Sequence, residues 1–234
     1  GLHGVGVSVT NALSTQLDVT VWRDKQVATI GFSGGDVVAP LQTRAVTRGE
    51  KKNGTRVHIV PDVKYFDSPN IPQAELERLL RAKAVLMSGV KVTLTNEKTG
   101  QTQTWLYQDG LQGYLREHLE QDALIPLFSG SSFAGANDDQ FAEGEGAEWV
   151  LTWTREGALL RESYVNLIST PAGGTHEAGI REGVFGAVKS FIELHALLPK
   201  GVKLISDDVF SRASFVLSTK VLDPQFQGQT KERL

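Results

Sequence analysis

Gly1-Leu2-His3-Gly4-Val5-Gly6-Val7-Ser8-Val9 opens the chain, and its three glycines stand in the order G-x-x-G-x-G. That order reverses the spacings of the dinucleotide fingerprint G-x-G-x-x-G, and no strand precedes it, so a doubly wound dinucleotide fold fails its own context requirement. What remains is a glycine turn running into a short helix over residues 7–14. Bare backbone at such a turn lets an anion approach the N–H groups that a first helical turn leaves unpaired, and phosphate is the natural guest. Taken alone, a tight turn followed by close helix packing is the plainer reading of the same glycines.

Working outward, residues 17–22 alternate apolar and polar positions as a half-buried strand does, and Arg23-Asp24-Lys25 reads as a turn into a second strand over 27–32. Residues 55–60 alternate again and are stopped by Pro61. Between 73 and 86, Leu76, Leu79, Leu80, Ala84 and Leu86 recur at helical spacing, with Glu75, Glu77, Arg78 and Arg81 on the other side. Strands at 90–95 and 103–107 flank the turn-rich Asn96-Glu97-Lys98-Thr99-Gly100, and a helix follows at 111–119. Residues 129–146 are rich in Gly, Ser, Asn, Asp and Glu and read as a surface loop. Strands at 149–153 and 163–168 then lie on either side of a Glu156-Gly157 turn. The longest helix, at about 176–198, has Thr175 as its expected N-cap. A last strand at 213–221 is followed by a polar loop over 223–231. Helix and strand signals mix along the whole length, which is an α/β (α+β) pattern.

Across the 234 residues, 24 Lys+Arg face 27 Asp+Glu for a net charge of −3, and 40% of the residues are hydrophobic. This is a globular composition, and the length allows one large domain or two small ones. No apolar stretch reaches a membrane span; the most apolar region, 184–198, is interrupted by Lys189 and Glu193. The absence of cysteine excludes disulfides, thiolate catalysis and Cys-based zinc sites. The five histidines lack metalloprotease spacing, so no protein-ligated metal is expected. Charge near neutrality argues against bulk electrostatic binding of DNA, although Arg44, Arg48, Lys51 and Lys52 form a local basic group that reads as a solvated loop. The opening on Gly1 rather than Met reads as a segment of something longer.

Three further places can carry chemistry. Gln229-Thr230-Lys231 offers an amide, a hydroxyl and an ammonium on one loop, able to hold phosphate oxygens through charge-assisted bonds. Taken alone, the Gln-Thr-Lys-Glu-Arg run reads as solvated surface. The hydroxyl of Thr55, after Gly54, faces a ligand or satisfies backbone. Gly173-Gly174-Thr175-His176-Glu177 brings His176 and Glu177 to a helix entrance, where an acid–base pair is imaginable and a capped turn is simpler.

Order and spacing together carry more than any one of these. Gly1-Leu2-His3-Gly4-Val5-Gly6-Val7-Ser8-Val9, Gly54-Thr55-Arg56-Val57, Tyr164-Val165-Asn166-Leu167-Ile168, Gly173-Gly174-Thr175-His176, and Asp223-Pro224-Gln225-Phe226 to Gln229-Thr230-Lys231 succeed one another along the whole chain. The succession resembles the ATPase subunit of bacterial type IIA topoisomerases. Tyr65-Phe66-Asp67-Ser68-Pro69, Tyr107-Gln108-Asp109-Gly110 and Gly228-Gln229-Thr230-Lys231-Glu232-Arg233-Leu234 look more like the B subunit of topoisomerase IV than that of gyrase.

The resemblance implies that residues 1–108 are the back part of a GHKL-type ATPase sandwich. It implies that 109–234 are a transducer domain, a ribosomal-protein-like α/β unit with a left-handed crossover. Gly1, Leu2, His3, Gly4, Val5, Gly6, Val7 and Ser8 would be the phosphate-binding stretch at the end of a lid. Thr55 would sit near the adenine, and Gln229 and Lys231 would be the catalytic contacts to the terminal phosphate. ATP and Mg²⁺ are the implied cofactors. The magnesium ligand, the glutamate general base and the adenine-reading aspartate are expected upstream of Gly1, so this stretch alone is expected not to hydrolyse ATP. Implied partners are a second copy of the ATPase subunit on ATP binding (a homodimer), the DNA-cleaving A subunit of topoisomerase IV in a heterotetramer, and double-stranded DNA. A cytoplasmic location without membrane contact goes with them, as does coupling of dimer closure to strand passage, decatenation and relaxation. Alternatives are the gyrase B subunit, a noncatalytic nucleotide-binding or dimerisation module, and a mismatch-repair or chaperone GHKL ATPase. The Gly-Gly-Thr-His and Gln-Thr-Lys motifs argue against the last.

Overall fold

A computed structural model describes residues 4–68, 70–119 and 122–234. The chain forms two compact units, Gly1–Gln73 and Ala74–Leu234.

In the first unit, helix α1 (Gly6–Ala12) leads into strands β1 (Ser14–Arg23), β2 (Gln26–Ser33), β3 (Asp36–Ala45) and β4 (Gly54–Pro61). The sheet has the order β3-β2-β1-β4 and is antiparallel throughout. Asp24 and Lys25 both take positive φ, 52° and 61°, in the two-residue β1–β2 connection, which matches the right-handed twist of the strands it joins. Leu17 and Val27 are the buried apolar anchors. Sequence periodicity does not reveal β3, because its ten residues are all exposed and carry Pro40. The β2–β3 register shifts between Thr29 and Gly31, opposite Gln42 and Ala39, so Pro40 lies at an irregularity of an edge strand, where its missing N–H is tolerated. Arg44 is therefore on a strand rather than in a loop.

The second unit begins with α2 (Gln73–Leu86), the hairpin β5 (Val92–Asn96) and β6 (Gln101–Trp105), and α3 (Gly110–His118). It continues with β7 (Phe128–Phe133), β8 (Gly146–Trp153), β9 (Arg161–Val165), β10 (Ile168–Ser169), α4 (Thr175–Leu194), α5 (Ser206–Phe210) and β11 (Ala213–Lys220). The larger sheet has the order β10-β9-β11-β8-β7. β11 runs antiparallel to β8 and parallel to β9.

β8 and β9 follow one another across the Glu156-Gly157 turn, yet they are not neighbours: β11 is inserted between them. A parallel β9–β11 pair needs a crossover, and α4 supplies it. Side chains alternate across this sheet. Val150, Tyr164 and Val216 join Ala84 and Val85 of α2 and Leu111, Tyr114 and Leu115 of α3 in one core. Leu151, Phe215 and Leu217 face the opposite way, against Ile180 and Val184 of α4. α2 and Tyr107 share the core of α3, and the two compact units divide at Gln73–Ala74.

β7 lies at the start of the expected 129–146 loop. α4 begins at Thr175 itself, with Gly174 as its N-cap and no side-chain cap bond, and it ends at Leu194 rather than 198.

Candidate functional site

The phosphate-binding candidates of the first unit start with Gly1, Leu2 and His3, which lie outside the described residues. Gly4 has φ 65°, the left-handed backbone that glycine adopts freely, and a Cβ built there meets nothing within 4 Å. Val5 precedes α1, and its carbonyl accepts the Val9 N–H at 2.8 Å. Gly6, Val7 and Ser8 are the first three helical residues, whose N–H groups have no acceptor within the helix. Val5 contributes no side-chain cap to cover them. All five residues from Gly4 to Ser8 are exposed. Exposed, uncapped N–H groups behind a glycine in open space are what an anion requires. Thr55 is the second residue of the edge strand β4, opposite Val21 of β1, and it too is exposed.

In the second unit, the loop that carries Gln229 and Lys231 is folded back on itself and against the start of α4. The Gln227 N–H donates to the Arg233 carbonyl at 2.8 Å, closing residues 227–233 into a compact turn. Beyond it, the Ala172 N–H donates to Glu232 O at 3.0 Å, Leu234 N–H to Gly173 O at 3.2 Å, and Thr175 N–H to Leu234 O at 3.3 Å. The two glycines permit this seating. Gly173 and Gly174 have φ 69° and 146°, and a Cβ on Gly174 would collide with the Leu234 carbonyl oxygen and lie 2.8 Å from the Leu234 nitrogen.

Lys231 itself adopts φ 58°, a left-handed conformation that costs a non-glycine residue about 1–2 kcal/mol and persists where the surroundings impose it. Among the described residues no carboxylate lies in ion-pair range of its ammonium. Gln229 is exposed. A cavity of about 830 Å³ opens beside the loop, lined by Thr230 and Glu232 together with Arg78, Arg81, Glu162 and Tyr164. Tyr164 and Tyr114 both donate to Glu162, at 2.6 and 2.9 Å, and burial beside this carboxylate pushes both phenols far above their ordinary range.

His176 and Glu177 do not form an acid–base pair. His176 Nε2 is 2.8 Å from Thr170 Oγ1, while Glu177 Oε1 accepts from Ser163 Oγ at 2.6 Å. Ser163 and Thr170 are buried and bond to each other at 2.7 Å. Burial holds the His176 imidazole below its usual pKa, with the Glu177 charge opposing, and its Nδ1 is buried without a partner among the described residues. Sequence reading passed over Ser163 and Thr170. The available signal was a hydroxyl at Ser163, two residues before Val165 on the same strand and so on the same face, where an inward polar group demands a partner.

The family model described as DNA gyrase B matches residues 110–234. The B subunit of DNA topoisomerase 4 from Salmonella typhimurium is 47% identical over 235 residues, which is 100% of this chain and 36% of that protein. The Escherichia coli K12 protein of the same name is 47% identical over 237 residues with the same coverage. The DNA gyrase B subunit of Helicobacter pylori is 32% identical over 234 residues, 100% of this chain and 29% of that protein. The chain thus spans little more than a third of the length of the topoisomerase 4 relatives it matches. Among solved structures, the topoisomerase IV ATP-binding domain of Francisella tularensis, in complex with a small-molecule inhibitor, aligns with a TM-score of 0.78 at 37% identity. That alignment covers 99% of this chain and 61% of that one. The 43K ATPase domain of Thermus thermophilus gyrase B, in complex with an aminocoumarin, aligns with a TM-score of 0.81 at 28% identity, covering 100% and 62%. With its mixed α/β fold, its ordered motifs and these similarities, the chain belongs to the DNA gyrase B family, the ATPase subunits of bacterial type IIA topoisomerases, and it is more similar to the topoisomerase IV proteins than to the Helicobacter gyrase protein.

Proposed function

We propose that this chain is part of the ATP-binding and ATP-hydrolysing region of a topoisomerase IV B subunit, in which ATP-driven dimer closure is coupled to DNA strand passage, decatenation and relaxation. In this reading Gly4 to Ser8, together with Gly1, Leu2 and His3, offer backbone N–H groups to the phosphates of ATP. Thr55 helps to fix the adenine. Gln229 and Lys231 belong to a transducer domain, residues 109–234, and contact the terminal phosphate.

The observation that carries it is the Lys231 loop. A cation free of ion pairs among the described residues stands on a loop whose backbone is clamped by four hydrogen bonds and whose own φ is left-handed. An ammonium carried on backbone held in that way is suited to a single charged target, and a charge-assisted hydrogen bond to a phosphate oxygen contributes about 1.5–3 kcal/mol. The N-terminus of a helix contributes less toward an anion, roughly 0.3–1 kcal/mol. Lys231 is therefore the stronger single determinant of whether a terminal phosphate is bound. Contacts made with ATP and lost on hydrolysis shift the closed arrangement by their differential free energy, which is the physical requirement for a nucleotide-driven gate.

The residues present fit a nucleotide's phosphates through exposed N–H groups, a glycine in open space and an ammonium. Among the described residues no group of three or more His, Asp or Glu side chains could hold a metal ion, and none of these residues is assigned to Mg²⁺. A general base is likewise not assigned. The partners that follow are a second copy of the same protein, the DNA-cleaving A subunit and double-stranded DNA, in the cytoplasm.

Calorimetric titration of the full-length protein with a non-hydrolysable ATP analogue, with and without Mg²⁺, tests the nucleotide site. Tight, Mg²⁺-dependent binding is expected, and absence of binding would leave a dimerisation module. Reconstitution with the cleavage subunit should give ATP-dependent decatenation, and ATPase activity without any change in DNA topology would point to another GHKL protein.

A further inference from the structure

We infer that the Gly173–Gly174 turn is a backbone clasp that positions Lys231, and that Glu177 is a positioning residue which holds the clasp in shape. The inference rests on the assignment of Lys231 to the terminal phosphate of ATP.

The clasp is built from both sides. On its open side it receives the chain end of the loop: Ala172 and Thr175 donate to Glu232 and Leu234, and Leu234 donates back to Gly173. The immediate neighbour of Lys231 is thus hydrogen-bonded to the clasp, and the remainder of the loop is closed by the Gln227–Arg233 bond at 2.8 Å. Any rotation of the turn would be passed to Lys231 through one peptide unit. On its inner side the turn rests on Glu177. The carboxylate lies 3.3 Å from where a Gly173 Cβ would stand, and its Oε1 is anchored by Ser163 Oγ at 2.6 Å. Ser163 is tied in turn to Thr170, whose carbonyl accepts the Gly173 N–H at 2.8 Å. The chain of contacts therefore runs from the middle of β9, through two buried hydroxyl residues and one carboxylate, to the turn at 172–174 and then to Glu232 and Leu234. Gly174 is essential in this geometry because any Cβ there meets the Leu234 backbone, and backbone cannot swing aside as a side chain can.

A positioning role makes a prediction that a merely structural role does not. ATP carries a γ-phosphate that ADP lacks, so misplacing Lys231 weakens an ATP analogue and spares ADP. Loss of a charge-assisted hydrogen bond corresponds to about tenfold or more in affinity. The affinities of full-length protein for a non-hydrolysable ATP analogue and for ADP should be measured in Gly174→Ala, Glu177→Ala and Glu177→Gln, each with Lys231 intact and with Lys231→Ala. Expected is a fall of about tenfold in the analogue-to-ADP affinity ratio for Gly174→Ala and Glu177→Ala, rescue by Glu177→Gln, which keeps an oxygen for Ser163, and no further fall when Lys231→Ala is present. If Lys231→Ala leaves the ratio unchanged, both the phosphate assignment and the clasp fall. If Lys231→Ala lowers the ratio while the clasp variants do not, or if the clasp variants lower it equally without Lys231, the clasp alone is overturned. Should Gly174→Ala fail to fold, the Glu177 pair decides.

Discussion

Gly130 lies directly opposite Trp149 in the β7–β8 ladder, and a Cβ placed on Gly130 would stand 2.7 Å from Cζ2 of the Trp149 ring. The indole covers the glycine, so this smallest of side chains in β7 and a tryptophan of β8 are one packing unit.

Gly130→Ala should displace the Trp149 indole and destabilise the protein by roughly 1–3 kcal/mol, the range for inserting a methyl into a filled site. A changed tryptophan emission together with a lower denaturation midpoint is the expected result. Unaltered emission and stability would mean that the ring has free room to move.

Lys231→Ala should lower the ATPase rate of the full-length protein by roughly 10²–10³-fold, as loss of a preorganised donor to developing charge does in other enzymes. Steady-state ATP turnover checks it. Normal turnover would remove Lys231 from the site.

Replacing Thr55 with Ala should weaken ATP binding by roughly three- to tenfold, the size of one neutral hydrogen bond, without changing the melting temperature of the nucleotide-free protein. The residue is exposed on an edge strand, so its hydroxyl has little structural duty. A change in stability with unchanged affinity would reverse that view.

His176 gives a pH dependence of definite sign. Burial lowers its pKa from the ordinary 6.5, with Glu177 opposing, so folded protein resists a proton that the unfolded chain accepts. Its contribution to stability is complete above about pH 6.5, where both states are neutral, and is lost as pH falls from there through the folded value. Between about pH 7.5 and about pH 5 the native protein should lose more stability than His176→Gln does. Equal losses would assign the acid sensitivity to other groups.

Elements whose residues alternate or recur at helical spacing were legible in the amino-acid order. β1, β2 and β4 alternate, α2 shows helical spacing over Gln73–Leu86, and α3 and β11 were found within a residue or two. β3 and β7 were not legible. The exposed edge strand Asp36–Ala45 sets Val37, Val38 and Ala39 in succession rather than in alternation and is broken by Pro40, and a strand such as Phe128–Phe133, rich in Ser and Gly, carries its apolar partner on the neighbouring strand.

For the site, residue types were readable and arrangement was not. Glycines that tolerate left-handed backbone, a threonine at a strand start and a lysine in a polar run are local properties, and their order along the chain pointed to the family. That β11 separates β8 from β9, that Ser163 and Thr170 hold His176 and Glu177 in structural duty, and that Gly174 touches Leu234 are long-range facts. They depend on which backbone groups meet after the sheet has closed, and local sequence carries no term for a contact between residues so far apart in the chain.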